Sequence, residues 1–161
     1  MIDSFCSHPF GAFCSKDSEI LILGSFPSPK SRESNFYYGH KENRFWKILS
    51  SLYKEKLPIS ISEKKEFLRK NKIALFDAID SLSIIGASDA SIQKARPTNL
   101  GDVLENSKVR HIFCNGKIAY EYCLKGDTKG LPITLLPSSS SANASYSLDK
   151  LIKNWRIILE K

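Results

Sequence analysis

The chain has 161 residues, 42% of them hydrophobic and 25% charged, with a formal net charge of +7. That length and balance fit one ordinary globular domain spanning residues 1–161 and leave no room for a second. No apolar run is long enough to span a membrane and the first residues lack a basic region followed by an apolar core, so a cytoplasmic protein without a membrane partner is expected.

Four cysteines, Cys6, Cys14, Cys114 and Cys123, stand at spacings that match no zinc or iron–sulfur signature and read as free thiols, with Cys114 in the core. The positive charge favours a polyanionic partner, because lysines and arginines that neutralise phosphates release counterions. Charge alone is weak support. The densest basic cluster, Lys54 to Lys72, falls on a predicted helix, where a solvated face is the simpler reading.

Residues 1 to 17 carry Pro9, Gly11 and scattered aromatics without periodicity, an irregular lead-in that packs across the sheet edge. Glu19 to Leu23 is an apolar run stopped by Gly24, the pattern of a strand buried on both faces. A loop from Gly24 to about Asn43 follows. It exceeds the usual connection, and long ordered loops in compact domains are more often functional than idle.

Phe45, Ile48, Leu49 and Leu52 recur at i, i+3, i+4 and i+7, which predicts a helix from about Arg44 to Lys54, closed by Pro58. Ser60 and Glu63 have capping-box spacing ahead of Phe67 and Leu68, so a second helix should run to about Asn71. Ile73 to Phe76 supplies the second strand. Asp77 to Pro97 mixes Asp, Ser, Ala and Ile with weak periodicity and should hold short helical turns and loop. Leu100, Val103 and Leu104 outline a short helix capped by Thr98 or Asn99. Val109 to Cys114 is the third strand, and Asn115-Gly116 turns the chain into a helix whose Ile118, Ala119 and Tyr122 share a face and whose end is marked by Gly126. Ile133 to Leu136 is the fourth strand. The last helix places Leu148, Leu151, Ile152, Trp155 and Ile158 on one side. Strands alternating with helices predict a parallel sheet covered on both faces, with ligands bound outside the carboxyl ends of the strands.

Two of those strand ends carry a resemblance. Gly24-Ser25-Phe26-Pro27-Ser28, then Phe36-Tyr37-Tyr38-Gly39-His40 and Asn43-Arg44-Phe45-Trp46, resemble the first motif region of the uracil-DNA glycosylase superfamily. Leu136-Pro137-Ser138-Ser139-Ser140-Ser141-Ala142-Asn143 resembles the second. Within that superfamily the chain is most similar to the hypoxanthine (deoxyinosine) DNA glycosylases, often called family 6, from about His8 to Trp155. The resemblance implies a three-layer α/β/α sandwich around a four-stranded parallel sheet. It also implies a DNA repair enzyme of base excision that works as a monomer on damaged DNA, without metal or organic cofactor.

Such an enzyme extracts a nucleotide from the duplex, holds its base in a pocket and hydrolyses the bond to the sugar. The cleavage builds negative charge on the leaving base, so donors near the base and a positioned water near the sugar are needed. The resemblance puts Tyr38 where related enzymes stack a ring on the base, against the bland alternative of a loop-packing aromatic. It makes Gly24, Ser25 and Phe26 part of the base pocket. Phe26 stands where most of the superfamily has a water-holding Asp or Asn, so that role shifts to Asn43, which could equally be a helix cap. His40 could donate to the leaving base or be satisfied by backbone. Ser28, Pro137, Ser138, Ser139, Ser140 and Asn143 are expected to grip DNA phosphates, the compositional alternative being a serine-rich linker. Further places depart from the family pattern: Lys41 and Ser141 replace prolines, Ser139 replaces a threonine, and Ile85 stands before Gly86 where the family has an arginine. Lys41 raises the option of a Schiff-base nucleophile, although a solvated lysine is the simpler reading.

The leading expectation is a monofunctional glycosylase that excises hypoxanthine. A uracil or G:U mismatch enzyme is the neighbouring alternative. A catalytically silent nucleic-acid-binding module is the alternative of another class.

Overall fold

Four short apolar runs become the sheet, and their burial explains why they are apolar. In the computed structural model, which describes residues 12–25, 36–79 and 96–160, β1 (Ile20–Gly24) and β2 (Ile73–Asp77) are buried at every position. The next strand, β3 (His111–Asn115), is buried at its three central residues, while β4 (Ile133–Leu136) buries only Leu136 fully. All neighbours pair in parallel in the order β2-β1-β3-β4. A parallel strand covered by helices on both faces has no solvent side to alternate with, so a continuous apolar run is what it needs. The edge strand β4 is less covered, and Leu135 there remains exposed.

The predicted helices form close to their expected limits. α1 (Phe45–Leu52) buries Phe45, Trp46, Ile48, Leu49 and Leu52. α2 (Ile61–Lys70) starts with the predicted capping box: Glu63 N–H donates to Ser60 Oγ while the Glu63 carboxylate accepts from the backbone of Ser60. Only Phe67 and Leu68 of α2 are buried, and its lysines spread over the surface, with Lys64 Nζ 5.4 Å from the Trp46 ring centre. α3 (Gly101–Glu105) begins where Asn99 Oδ1 accepts from Gly101 N–H. α4 (Lys117–Lys125) ends at Gly126 as expected, but its buried stripe is Ala119 and Cys123, and Ile118 is 55% exposed. The helix lies beside β3 and the edge strand β4, a narrow footing that covers one stripe and leaves the flank of Ile118 in water. α5 (Leu148–Trp155) runs into a 3-10 turn (Arg156–Glu160), and Leu151, Trp155 and Ile158 are buried.

These layers make a three-layer α/β/α sandwich. The lead-in seals the free edge of β2, since Phe13 and Leu75 exchange both backbone hydrogen bonds at 2.9 Å. Cys14, Cys114 and Cys123 are buried, and no disulfide joins them; Cys6 and the stretch from 80 to 95 lie outside the described residues. No helix among the described residues is long and apolar enough to cross a membrane.

Candidate active site at the carboxyl ends of the strands

The strand order fixes where a ligand can sit. From β1 the chain moves outward to β2, then returns to the other side of β1 for β3, so the switch point lies between β1 and β3. In open parallel sheets the crevice outside the carboxyl ends at such a point is the binding place. Ser25 follows β1 and Asn115 ends β3 there, and both line a cleft of about 740 Å3 with Gly116, Lys117, Ser138, Ser140 and Asn143.

Asn43 stands at the entrance to α1, and its amide oxygen is used twice. Phe45 N–H donates to Oδ1 at 2.9 Å and Ser139 Oγ donates to the same oxygen at 2.7 Å. The capping reading is therefore met in substance, although by a turn of two residues that puts Arg44 at the formal cap. An sp2 oxygen has two lone pairs, so this one is saturated. The amide nitrogen makes no hydrogen bond to a described residue and is not among the buried polar atoms that lack a partner, so it is open to solvent. Asn43 thus presents donors alone.

His40 adds to the same polarity. Its Nδ1 accepts from Glu42 N–H at 3.1 Å, so the neutral ring carries its proton on Nε2, a second donor. His40 carbonyl also accepts from Asn43 N–H, which closes the turn that delivers Asn43. Lys41, in that turn, is exposed.

The serine run is a closed loop rather than a linker, and Arg44 is what closes it. The guanidinium donates to the carbonyls of Ser139 (3.3 Å), Ser140 (2.6 Å), Asn143 (3.1 Å) and Tyr146, and the Arg44 backbone N–H adds a bond to Ser139 O. Asn143 Nδ2 staples Ser138 O from within. Trp155 Nε1 holds Pro137 O at 2.9 Å, and Trp46 Nε1 holds Tyr37 O at 3.2 Å, so each motif loop hangs from one indole.

One expected phosphate contact needs correction. Ser139 is 0% exposed, and its hydroxyl, N–H and carbonyl are engaged by Asn43, Asn115 and Arg44. It has no surface to offer DNA. The Asn143 side chain serves the shape of its own loop. Ser138 and Ser140 are partly exposed at the cleft, their hydroxyl oxygens accepting only local N–H bonds, and Pro137 lies at the loop's start. Phe26 and Ser28 lie outside the described residues.

Tyr38 sits where the motif put it but does something unforeseen with its hydroxyl. The ring stacks on Phe45 with centres 3.9 Å apart, so a base could meet only the other face. The backbone is in the left-handed region, φ 55°, at a residue with a side chain, a conformation that costs about 1–3 kcal/mol. The hydroxyl is buried without completing a hydrogen bond. Burial first, and the Asp77 carboxylate second, hold the phenol's pKa well above its usual value, while Asn115 beside it pulls the other way. A Cβ on Gly24 would come within 2.8 Å of that hydroxyl and 3.0 Å of Asp77 Oδ1. Gly24 is glycine to make room for Tyr38 and Asp77, a reason separate from contact with a base.

Asn115 and Asp77 were missed by the sequence reading. The signal was present in a weak form: each is the polar residue that closes a buried parallel strand, and at the carboxyl end such a residue faces the crevice. Asp77 is only 3% exposed. Among the described residues no three His, Cys, Asp or Glu side chains gather into a metal-binding group.

Comparison with known proteins identifies the family. The family model for the uracil DNA glycosylase superfamily matches residues 10–159. A Methanosarcina acetivorans protein named hypoxanthine DNA glycosylase is 36% identical over 145 residues, covering 88% of this chain and 90% of that protein. A Methanosarcina barkeri protein of the same name is 36% identical over 132 residues, covering 80% of this chain and 82% of that one. The solution NMR structure of an M. acetivorans protein described as a candidate uracil DNA glycosylase superposes with a TM-score of 0.75 at 31% identity, covering 92% of this chain and 95% of the other. With motifs, switch-point site and family model in agreement, the chain belongs to the uracil DNA glycosylase superfamily.

Proposed function

We propose that the protein is a monofunctional DNA glycosylase that hydrolytically removes hypoxanthine from DNA and leaves an abasic site. The observation that carries this reading is the Asn43 amide, whose oxygen is consumed by Phe45 N–H and Ser139 Oγ and whose nitrogen is left to donate. Deamination replaces an exocyclic amine by a carbonyl. A donor-only group pairs with that carbonyl and opposes the amine of the undamaged base, so the same hydrogen bond that binds the lesion rejects adenine.

The donor also suits the chemistry. As the bond between C1′ and the base nitrogen breaks, its electron pair leaves with the base, and a donor aimed at the base stabilises that charge more in the transition state than before it. Water bonds to C1′ and its surplus proton goes to the departing base or to solvent. Asn43 Oδ1 has no lone pair left to hold that water, so Asn43 acts on the leaving group. In this reading His40 Nε2–H serves as an auxiliary donor, a role supported by its Nδ1 accepting from Glu42 N–H. The net charge of +7 assists binding to phosphates. The two relatives that bear the name hypoxanthine DNA glycosylase support that base over uracil, whose carbonyls would also accept from the same donor.

Duplexes carrying inosine, uracil, xanthine or adenine at one position, treated with alkali after incubation, test this. Strand breaks at inosine and none at adenine are expected. Without alkali no nick should appear, and borohydride should trap no Lys41 adduct. Binding without excision of any base would sink the proposal and favour the silent module.

A further inference from the structure

Ser139 was expected at the DNA surface and is instead at the centre of the site, and the direction of every hydrogen bond around it can be assigned. Ser139 N–H donates to Asn115 Oδ1 at 2.9 Å, so the Asn115 amide must present its nitrogen to the Ser139 hydroxyl, which it does at 3.0 Å. The hydroxyl oxygen is thereby an acceptor on that side, and its single proton goes to Asn43 Oδ1 at 2.7 Å. At the far end Phe45 N–H donates to the same oxygen. Backbone N–H groups, which cannot reverse, anchor both ends of the chain Asn115 to Ser139 to Asn43.

We propose that Ser139 is a specificity-positioning residue: its buried hydroxyl fills the second lone pair of Asn43 Oδ1 and so keeps Asn43 a donor and nothing else toward the base. This rests on the function proposed above. Without that hydroxyl, Phe45 N–H is the one bond to a described residue that holds the amide. An amide held by one bond can turn and bring Oδ1 toward the base, where it would accept from an exocyclic amine, and the distinction between a deaminated base and adenine would weaken. Asn115 makes the arrangement one-way, because while it donates into Ser139 Oγ the hydroxyl proton is directed to Asn43. Ser139 touches no substrate and acts through Asn43.

The test compares Ser139→Val, which keeps the shape and removes the hydroxyl, with Ser139→Thr, which keeps the hydroxyl. Binding is measured to duplexes carrying non-cleavable 2′-fluoroarabino forms of inosine and adenosine, alongside single-turnover excision of ordinary inosine. The ratio of the two affinities should fall about tenfold in the Val variant and return with Thr. Ser139→Ala carries the same comparison should Val fail to fold, as thermal melting would show. A Val or Ala variant that keeps the wild-type ratio overturns the inference, even if excision slows, since slowing alone is what a packing role predicts. Wild-type protein that excises no inosine defeats the proposed function instead, and the two failures are thus told apart.

Discussion

The two ends of the sheet solve the problem of charge in opposite ways. At the amino end Glu19 lies 3.7 Å from Lys72 Nζ and 3.8 Å from Arg110, and Lys108 pairs with Asp17 at 3.4 Å. Opposite charges offset one another in water, a type of contact that contributes about 0–1 kcal/mol. At the carboxyl end Arg44 meets four carbonyls and, among the described residues, no carboxylate. Carbonyl dipoles satisfy the guanidinium's donors without cancelling its charge. The end that holds the sheet together is neutralised, whereas the end that meets a ligand keeps its cation and fills the remaining space with amides and hydroxyls.

If that contrast is right, the largest losses come from the carboxyl end. Asn43→Ala should slow single-turnover excision by about 100- to 1000-fold, the range for removing one preorganised donor, with binding to undamaged DNA near wild type. Asn43→Asp sharpens the point: it can still accept from Phe45 N–H and Ser139, yet it offers a base carbonyl only acceptors and should be as slow as Ala. An active Asp variant would return Asn43 to the role of water holder.

Arg44→Lys is the next largest. A lysine keeps the charge but cannot bridge four carbonyls, so urea unfolding should show a loss of about 2–3 kcal/mol, the scale of charged hydrogen bonds. Excision should fall with it. Wild-type stability in the Lys variant would mean that charge, not the fork, closes the loop.

A smaller effect of opposite sign is expected at Tyr38. Tyr38→Phe removes a buried hydroxyl that has no partner and should stabilise the protein by about 1 kcal/mol. The pH dependence has a definite sign. The folded protein keeps the phenol proton above pH 10, the ordinary value, where the unfolded chain releases it, so stability falls as pH rises beyond about 10. The Phe variant should lose part of that slope, and Tyr53, raised by burial to about 12, and the Cys114 thiol, held above its ordinary value by Cys123 and by burial, contribute further. Urea midpoints at pH 9 and pH 11 measure both.

The smallest change belongs to the amino end. Glu19→Gln should cost under about 1 kcal/mol and leave inosine excision as it was; a loss of excision would mean that the two ends are coupled.

Most of the fold was legible because its signals are local. Apolar runs gave four parallel strands, and the Ser60–Glu63 spacing gave a cap that the structure realises. Ile118 was misplaced because periodicity reveals an apolar stripe but not how much sheet lies beneath it. The site was half legible. Asn43 and the serine run could be found as motifs, yet the job of each serine depends on partners far along the chain: Ser139 meets Asn43 across 96 residues and Asn115 across 24. Four adjacent serines look alike in a sequence, and only the folded loop decides which hydroxyl turns inward.

The two indoles that hold the motif loops also make the protein its own optical probe. The chain has two tryptophans, both buried, each bonded through Nε1 to the backbone carbonyl of a different motif loop. Emission from Trp46 therefore responds to the segment that carries Tyr38, and emission from Trp155 to the entry of the serine loop. With one or the other replaced by phenylalanine, fluorescence follows the two halves of the crevice separately as DNA arrives, without an attached dye.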